Sequence, residues 1–216
     1  MKHEPMTNLR EKAPLYLAAL LFILHILRVH IIGDGAWAPL AWLVLFPLGV
    51  EGISISQNIT SLFGHSLLHA DYGHVLMNGG GLVIFGTVTL DAIRGKNTGG
   101  LSPNMKFLLI FAFGVIGGGL FQWGHWALTG ELGRAIGASG GVSAFFATMG
   151  YALGGREKML RFGGAWIVLQ LAIAFLGDFV GMGNVAWAAH IGGLVGGMII
   201  APMWLKPAGS SFSINR

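Results

Sequence analysis

Four polar residues in an otherwise apolar chain could do chemistry together. Ser139 lies in Gly137-Ala138-Ser139-Gly140-Gly141, His190 in Ala189-His190-Ile191-Gly192-Gly193, and His74 and Asn78 stand four residues apart. A serine hydroxyl is a weak nucleophile until a base removes its proton. A neutral imidazole such as His190 can accept that proton and later pass it to a leaving amine. The oxyanion formed in such a step needs preorganised donors, each typically worth about 2.7–4 kcal/mol. His74 Nε2–H, Asn78 Nδ2–H and the backbone N–H of Ser139 are the candidates. No acidic residue is placed to orient the imidazole, since Asp178, the nearest in sequence, falls near the end of an apolar stretch. The reading is therefore a dyad.

Taken singly, each of these residues has a plainer role. A lone Ser in a helix often bonds its own backbone, and a lone His or Asn in a bundle often ties two helices together. The small residues around Ser139 shift the balance, because they leave its hydroxyl open to a second group. Gly192, Gly193, Gly196 and Gly197 follow His190 at small-xxx-small spacing. That spacing lets one membrane helix approach another closely, as a Ser–His hydrogen bond of about 2.6–3.2 Å requires.

The elements that must position these groups follow from composition. Of 216 residues, 54% are hydrophobic and only 10% charged, against about 25% charged in a soluble domain. Lipid is the implied solvent. The net charge of +4 resides in short clusters between apolar runs, which read as topology signals and exclude a nucleic-acid surface. The absence of cysteine excludes thiolate catalysis, disulfides and cysteine-ligated metal.

Six stretches are long and apolar enough to span a bilayer: 13–32, 72–90, 105–126, 137–154, 162–179 and 185–204. Residues 1–12 and 205–216 then form short tails around a membrane domain at 13–204. Lys2, Arg10 and Lys12, then Arg94, Lys96 and Lys106, then Arg156, Lys158 and Arg161, then Lys206 and Arg216 fall in alternate connecting segments, which share one side of the membrane. The opposite segments hold Asp34, Glu51, Asp71, Glu131 and Asp178, with Arg134 their one clear basic residue. The positive-inside rule gives both termini inside. The apolar run at 37–50 contains Pro39 and Pro47 and is too short to span, so it belongs to a long external first loop, partly sunk in the outer leaflet. With this topology Ser139, His74, Asn78 and His190 all fall in the outer third of their spans.

The motifs then resemble those of the rhomboid family of intramembrane serine proteases, over about residues 13–204. Gly137-Ala138-Ser139-Gly140 looks like the family's GxSG, Ala189-His190-Ile191-Gly192-Gly193 with Gly197 like AHxGGxxxG, and His69, His74 and Asn78 like HxxxxHxxxN. The resemblance implies an all-α, six-helix bundle and a bacterial cell-membrane location. It implies peptide-bond hydrolysis in or near transmembrane segments of membrane-protein substrates, with no cofactor and no metal. It casts Ser139 and His190 as the dyad, His74 and Asn78 as oxyanion donors, and His69, Gly137 and Gly140 as supporting residues. Residues 162–179 would be a lateral gate, followed by a cap near Val180 to Asn184.

Some positions depart from the family pattern. The first loop lacks a Trp-Arg pair, Asp91 stands for the Glu of GxxxExxxG, and Ser143 stands where an aromatic usually packs on the catalytic His. Phe145, Phe146 or Trp187 could supply that packing. Three rivals remain. His65 and His69 at i,i+4 suit a metalloprotease, but no HExxH glutamate accompanies them. A transporter would show paired broken helices in two halves, and none is found. The intact Ser139/His190 pair argues against a catalytically silent relative that binds transmembrane clients, which stays as the alternative reading. Substrate identity, oligomeric state and regulation are not encoded in any motif.

Overall fold

The computed structural model describes residues 12–33, 38–96, 100–176 and 185–208. Asp34, Asp178, the expected cap at Val180 to Asn184 and most of both tails lie outside the described residues. Within them the protein is an all-α bundle, as expected, with one isolated antiparallel bridge between Leu45 and Ala135.

Helix starts are written locally. α1 (Ala13–Leu27) has Pro14 in its first turn, where a missing N–H costs no helical bond, and it continues through a π-helical turn at Arg28–Gly33. Ser54 caps α2 (Ile55–Gly64), Asp71 caps α3 (Tyr72–Arg94) and Ser102 caps α4 (Pro103–Thr129), each side-chain oxygen accepting from a backbone N–H three residues on. Such caps satisfy one of the orphan donors of a helix start. α5 (Ser139–Leu176) and α6 (Trp187–Trp204) complete the set.

Among the described residues five helices, α1 with its π turn, α3, α4, α5 and α6, are long and apolar enough to cross a membrane. The sequence reading gives six spans, and the difference lies in α5. Its helix is interrupted at Gly154 and Gly155, where Gly155 has φ of 69°, a left-handed value that glycine adopts without a side-chain penalty. The chain reverses there. Trp166 Nε1 donates to Ser143 Oγ at 3.2 Å, whereas 23 residues of straight helix would separate them by roughly 35 Å. Phe146 likewise stacks on Phe162 and Trp166. The two arms, 139–153 and 156–176, are thus separate limbs of a hairpin. The expected loop carrying Arg156, Lys158 and Arg161 is a correction: the helix resumes directly after the glycine pair, and these residues lie on its first turns.

Lipid is written into the burial pattern. Ile23, Ile84, Phe113, Val168 and Ile199 are exposed, while Thr89, Thr148, Gln122 and Gln170 are buried. Thr89 and Thr148 join α3 to α5 by a hydroxyl–hydroxyl bond of 2.7 Å. The first loop repeats this inversion. α2, which the sequence reading leaves inside the loop, buries Gln57, Asn58 and Ser61 and exposes Ile55, Ile59 and Phe63. The apolar 37–50 run does not cross. Its described part forms a 3-10 turn at Ala38–Leu43, tied to α2 by Gln57 Nε2 donating to Ala41 O and to α4 by Trp123 Nε1 donating to Phe46 O.

α6 is the central contact. Side chains added at Gly193 and Gly197 would collide with the backbone of Gly140 and Ala144 on α5, and one at Gly192 with the backbone of Gly117 on α4, while Gly196 packs tightly on the backbone of Phe113. Close approach of small residues is how helices pack without a hydrophobic drive between them. The face carrying Gly193 also carries His190 toward the start of α5.

Candidate active site

Ser139 is the first residue of α5. The first N–H groups of a helix have no partner inside it, so the Ser139 N–H stands at an open helix start. His190 lies in the first turn of α6, and its Nε2 is 2.7 Å from Ser139 Oγ. Both residues are half-buried. The glycine contact between α5 and α6, one turn below, sets this distance: any side chain at Gly193 would push the two helices apart.

The other nitrogen of His190 has a partner that the sequence reading does not assign. Nδ1 makes a short hydrogen bond with Gln170 Oε1, from the second arm of α5. A carboxamide oxygen only accepts, so Nδ1 carries the proton and Nε2 is left to accept from the Ser139 hydroxyl. That is the tautomer a general base needs. The signal was present as one polar residue amid the apolar run from Ala165 to Leu176. Polar groups at membrane depth normally face the interior, but the sequence does not say which helix they meet.

The expected aromatic packing on His190 is not found, and this corrects the sequence reading. Phe145 stacks on Phe107 and Phe146 on Trp166, while Phe146 meets Phe85 and Trp187 meets His125 edge to face. Among the described residues no ring packs on His190. Ser143, in the usual aromatic position, instead accepts from Trp166. The imidazole is held by a hydrogen bond from the fifth span rather than by a ring on the fourth.

His74 is brought to the same place. The Ala70 N–H donates to His74 Nδ1 at 3.4 Å, which leaves the proton on Nε2. Gly137 separates this nitrogen from Ser139. A Cβ at Gly137 would sit 2.7 Å from His74 Nε2 and 3.8 Å from Ser139 Oγ, and its φ of 121° is a conformation that L side chains rarely adopt. The glycine therefore keeps open the space between a ring N–H and the hydroxyl. Gly140 serves the helix contact: its backbone meets Gly114 on α4 and Gly193 on α6.

Asn78 is buried, but the structure gives it no bond to Ser139 or His190. Its Nδ2 donates to His74 O at 3.0 Å, within its own helix, and the amide keeps a second N–H. His69 is fully buried and edge-on to His74, with ring centroids 5.0 Å apart. Its Nε2 accepts from the Ala138 N–H at 3.4 Å, which fixes the strand of chain leading into Ser139. Burial, then the neighbouring His74 and His25, pulls the His69 pKa down to about 3, so it is neutral at ordinary pH and suited to accepting. His65 bonds Ser61 O through Nδ1 and accepts the Gly137 N–H on its backbone carbonyl. Burial lowers its pKa too. His69 through its ring and His65 through its backbone carbonyl thus hold the 137–138 segment.

A cavity of about 320 Å³ opens beside the site, lined by Gln122, His125, Glu131, Arg134 and Trp187 among others. Neither Ser139 nor His190 lines it, although Trp187 is one turn before His190. Lys96 and Lys206 lie at the other end of the bundle, where Lys96 Nζ donates to the carbonyls of Pro202 and Met203, and Lys206 N–H to Ala92 O.

The chain finds no match among curated proteins. The family model described as the Rhomboid domain matches residues 56–207, a span that runs from the second residue of α2 past the end of α6 and holds every residue of the Ser139 site. With a match over well more than half of its length, on a multi-pass helical bundle, this chain belongs to the rhomboid family.

Proposed function

We propose that this protein is an intramembrane serine protease that hydrolyses peptide bonds in or near transmembrane segments of membrane-protein substrates. One observation carries the reading: Ser139 Oγ lies 2.7 Å from His190 Nε2, in a site where the other imidazole nitrogen is occupied. Ser139 attacks the scissile carbonyl as His190 takes its proton. The carbonyl oxygen becomes an oxyanion beside His74 Nε2–H and the Ser139 N–H, with Asn78 supporting the His74 turn. His190 then protonates the leaving amine, and water hydrolyses the acyl-enzyme by the reverse proton route.

The site end of the bundle is the outer one, and the end with Lys96, Lys158 and Lys206 is cytoplasmic, by the positive-inside rule. The chain has no cysteine, so single cysteines introduced at the exposed positions 51, 130 and 158 report cleanly against an impermeant thiol reagent. Positions 51 and 130 should label from outside intact cells and 158 should not. Labelling of 158 from outside would overturn this orientation.

The function itself is tested by incubating native membranes with a fluorophosphonate probe. The reading requires covalent labelling that Ser139→Ala abolishes, and cleavage of a single-span test substrate that is lost with it. A wild-type protein that binds such a substrate without labelling or cutting would instead be the silent, client-binding relative.

A further inference from the structure

We infer that Gln170 is the positioning residue of the catalytic base, so that the working unit is Ser139–His190–Gln170 with its third member supplied by the fifth span. The inference rests on the protease reading above and deepens it.

The geometry has three parts. Gln170 is buried, at 2% exposure, on a helix arm whose neighbouring residues Val168 and Leu169 face outward. A buried carboxamide is costly unless its polar atoms are bonded, and Oε1 makes its bond to His190 Nδ1. Ser139 occupies the other side of the same ring. An imidazole with an acceptor on Nδ1 and a hydroxyl on Nε2 has one consistent assignment: Nδ1–H donates to Gln170, and Ser139 O–H donates to Nε2. The reversed carboxamide would donate to Nδ1, put the ring proton on Nε2 and turn it toward the serine oxygen. That arrangement cannot take the serine proton.

A neutral amide also suits the setting. A carboxylate there would place a charge at membrane depth, which is expensive. The amide dipole orients the ring without adding net charge, and it still accepts from the imidazolium that forms as Ser139 attacks. No aromatic ring packs on His190 among the described residues, so this bond replaces that form of restraint. The orienter also rides on the 156–176 arm, separate from the helices that carry Ser139 and His190. A displacement of that arm by about 1 Å breaks the bond, which ties the competence of the base to the seating of the fifth span.

The test uses full-length protein in detergent or liposomes with Gln170→Leu, Gln170→Asn and Gln170→Glu. The first readout is independent of activity. In ¹⁵N-histidine spectra, the His190 resonance, assigned by difference with His190→Ala, should report the Nδ1–H tautomer in wild type. In Gln170→Leu it should report loss of that preference. The second is kinetic. Gln170→Leu should lower kcat by about 10²-fold with KM and the unfolding midpoint little changed. The third is the pH profile. His74 is the titratable group acting on His190 from another helix. It is unchanged in all variants, so a shift can be assigned to position 170. Gln170→Glu should keep most activity and move the acid limb to higher pH, because a carboxylate on Nδ1–H favours the protonated ring. Gln170→Asn, shorter by one carbon, should fall between. An Nε2–H tautomer in wild type, a Gln170→Leu enzyme with wild-type kcat, or an unmoved acid limb in Gln170→Glu each overturns the inference. If Gln170→Leu fails to fold, the wild-type tautomer and the Gln170→Glu profile still decide. Absence of Ser139 labelling in wild type sinks the protease reading separately, whatever the tautomer.

Discussion

Ser139, His190 and His74 reach one point from three helices, and each contributes a different atom to it. Removing either proton-transfer partner should therefore stop the same step. Ser139→Ala and His190→Ala are each expected to lower turnover by about 10³-fold or more, and the double variant should be no slower than either, since groups acting as one unit are not additive. A further drop in the double variant would show independent mechanisms. The donors should be graded. His74 Nε2–H faces the space over Gly137, so His74→Ala should cost about 10²–10³ in kcat with little change in KM. Asn78 already bonds His74 O, and Asn78→Ala should cost less, through a looser His74 turn. Equal losses in kcat for the two, or a pure KM effect for either, would contradict these roles. At this scale the sequence was most legible where types and spacing recur, around 69–78, 137–141 and 189–197. It was silent on Gln170, whose partner lies 20 residues away on α6, and misleading on the aromatics, whose contacts depend on helix rotation that a motif does not carry.

Helix packing decides whether those atoms meet. Gly193 abuts the backbone of Gly140, one residue after the nucleophile, so an added methyl there must displace α6 from α5. Gly193→Ala should lose about 1–3 kcal/mol of stability and also most activity, because it moves His190 from Ser139. Gly164 gives the internal control. It is exposed on the second arm of α5, and nothing lies within 4 Å of the point an added methyl would occupy. Gly164→Ala should gain about 0.5–1 kcal/mol through backbone entropy and leave activity intact. Thermal unfolding in detergent with parallel cleavage assays separates them. A harmless Gly193→Ala would mean the interface has slack and the dyad distance is set elsewhere. The glycine spacing was readable, and so was the approach it permits. The break near 154–155 was readable too, from the basic cluster that follows it, but the direct resumption of helix at 156 in place of a loop was not. Nor was α2 readable, since its polar residues point inward and its apolar ones outward, the reverse of a water-facing helix.

For the whole molecule, on the protease reading proposed above, the site's position at one end of an apolar bundle sets what it can cut. A transmembrane helix satisfies its own backbone hydrogen bonds and so shields the scissile carbonyl. Ser139 can attack only after local unwinding, and each polar group exposed to lipid in unwinding costs several kcal/mol. Substrates should therefore carry Gly, Pro or Ser near the outer end of their span, so that the unwound strand is made where the half-buried Ser139 can receive it. Gly137 and Ala138 precede the nucleophile, and His74 stands against Gly137. Little room remains there, which favours a small side chain such as Ala or Ser just before the cut. The measurement compares single-span test substrates in liposomes: one with Ala before the scissile bond and Gly-Ser after it, one with Leu-Leu in place of Gly-Ser, and one with Phe in place of Ala. Both replacements should slow cleavage at least tenfold, a loss of about 1.4 kcal/mol in transition-state stabilisation. If an uninterrupted poly-Leu span is cut as fast as the Gly-Ser substrate, unwinding is not the selecting step. In that case specificity must arise from contacts away from Ser139.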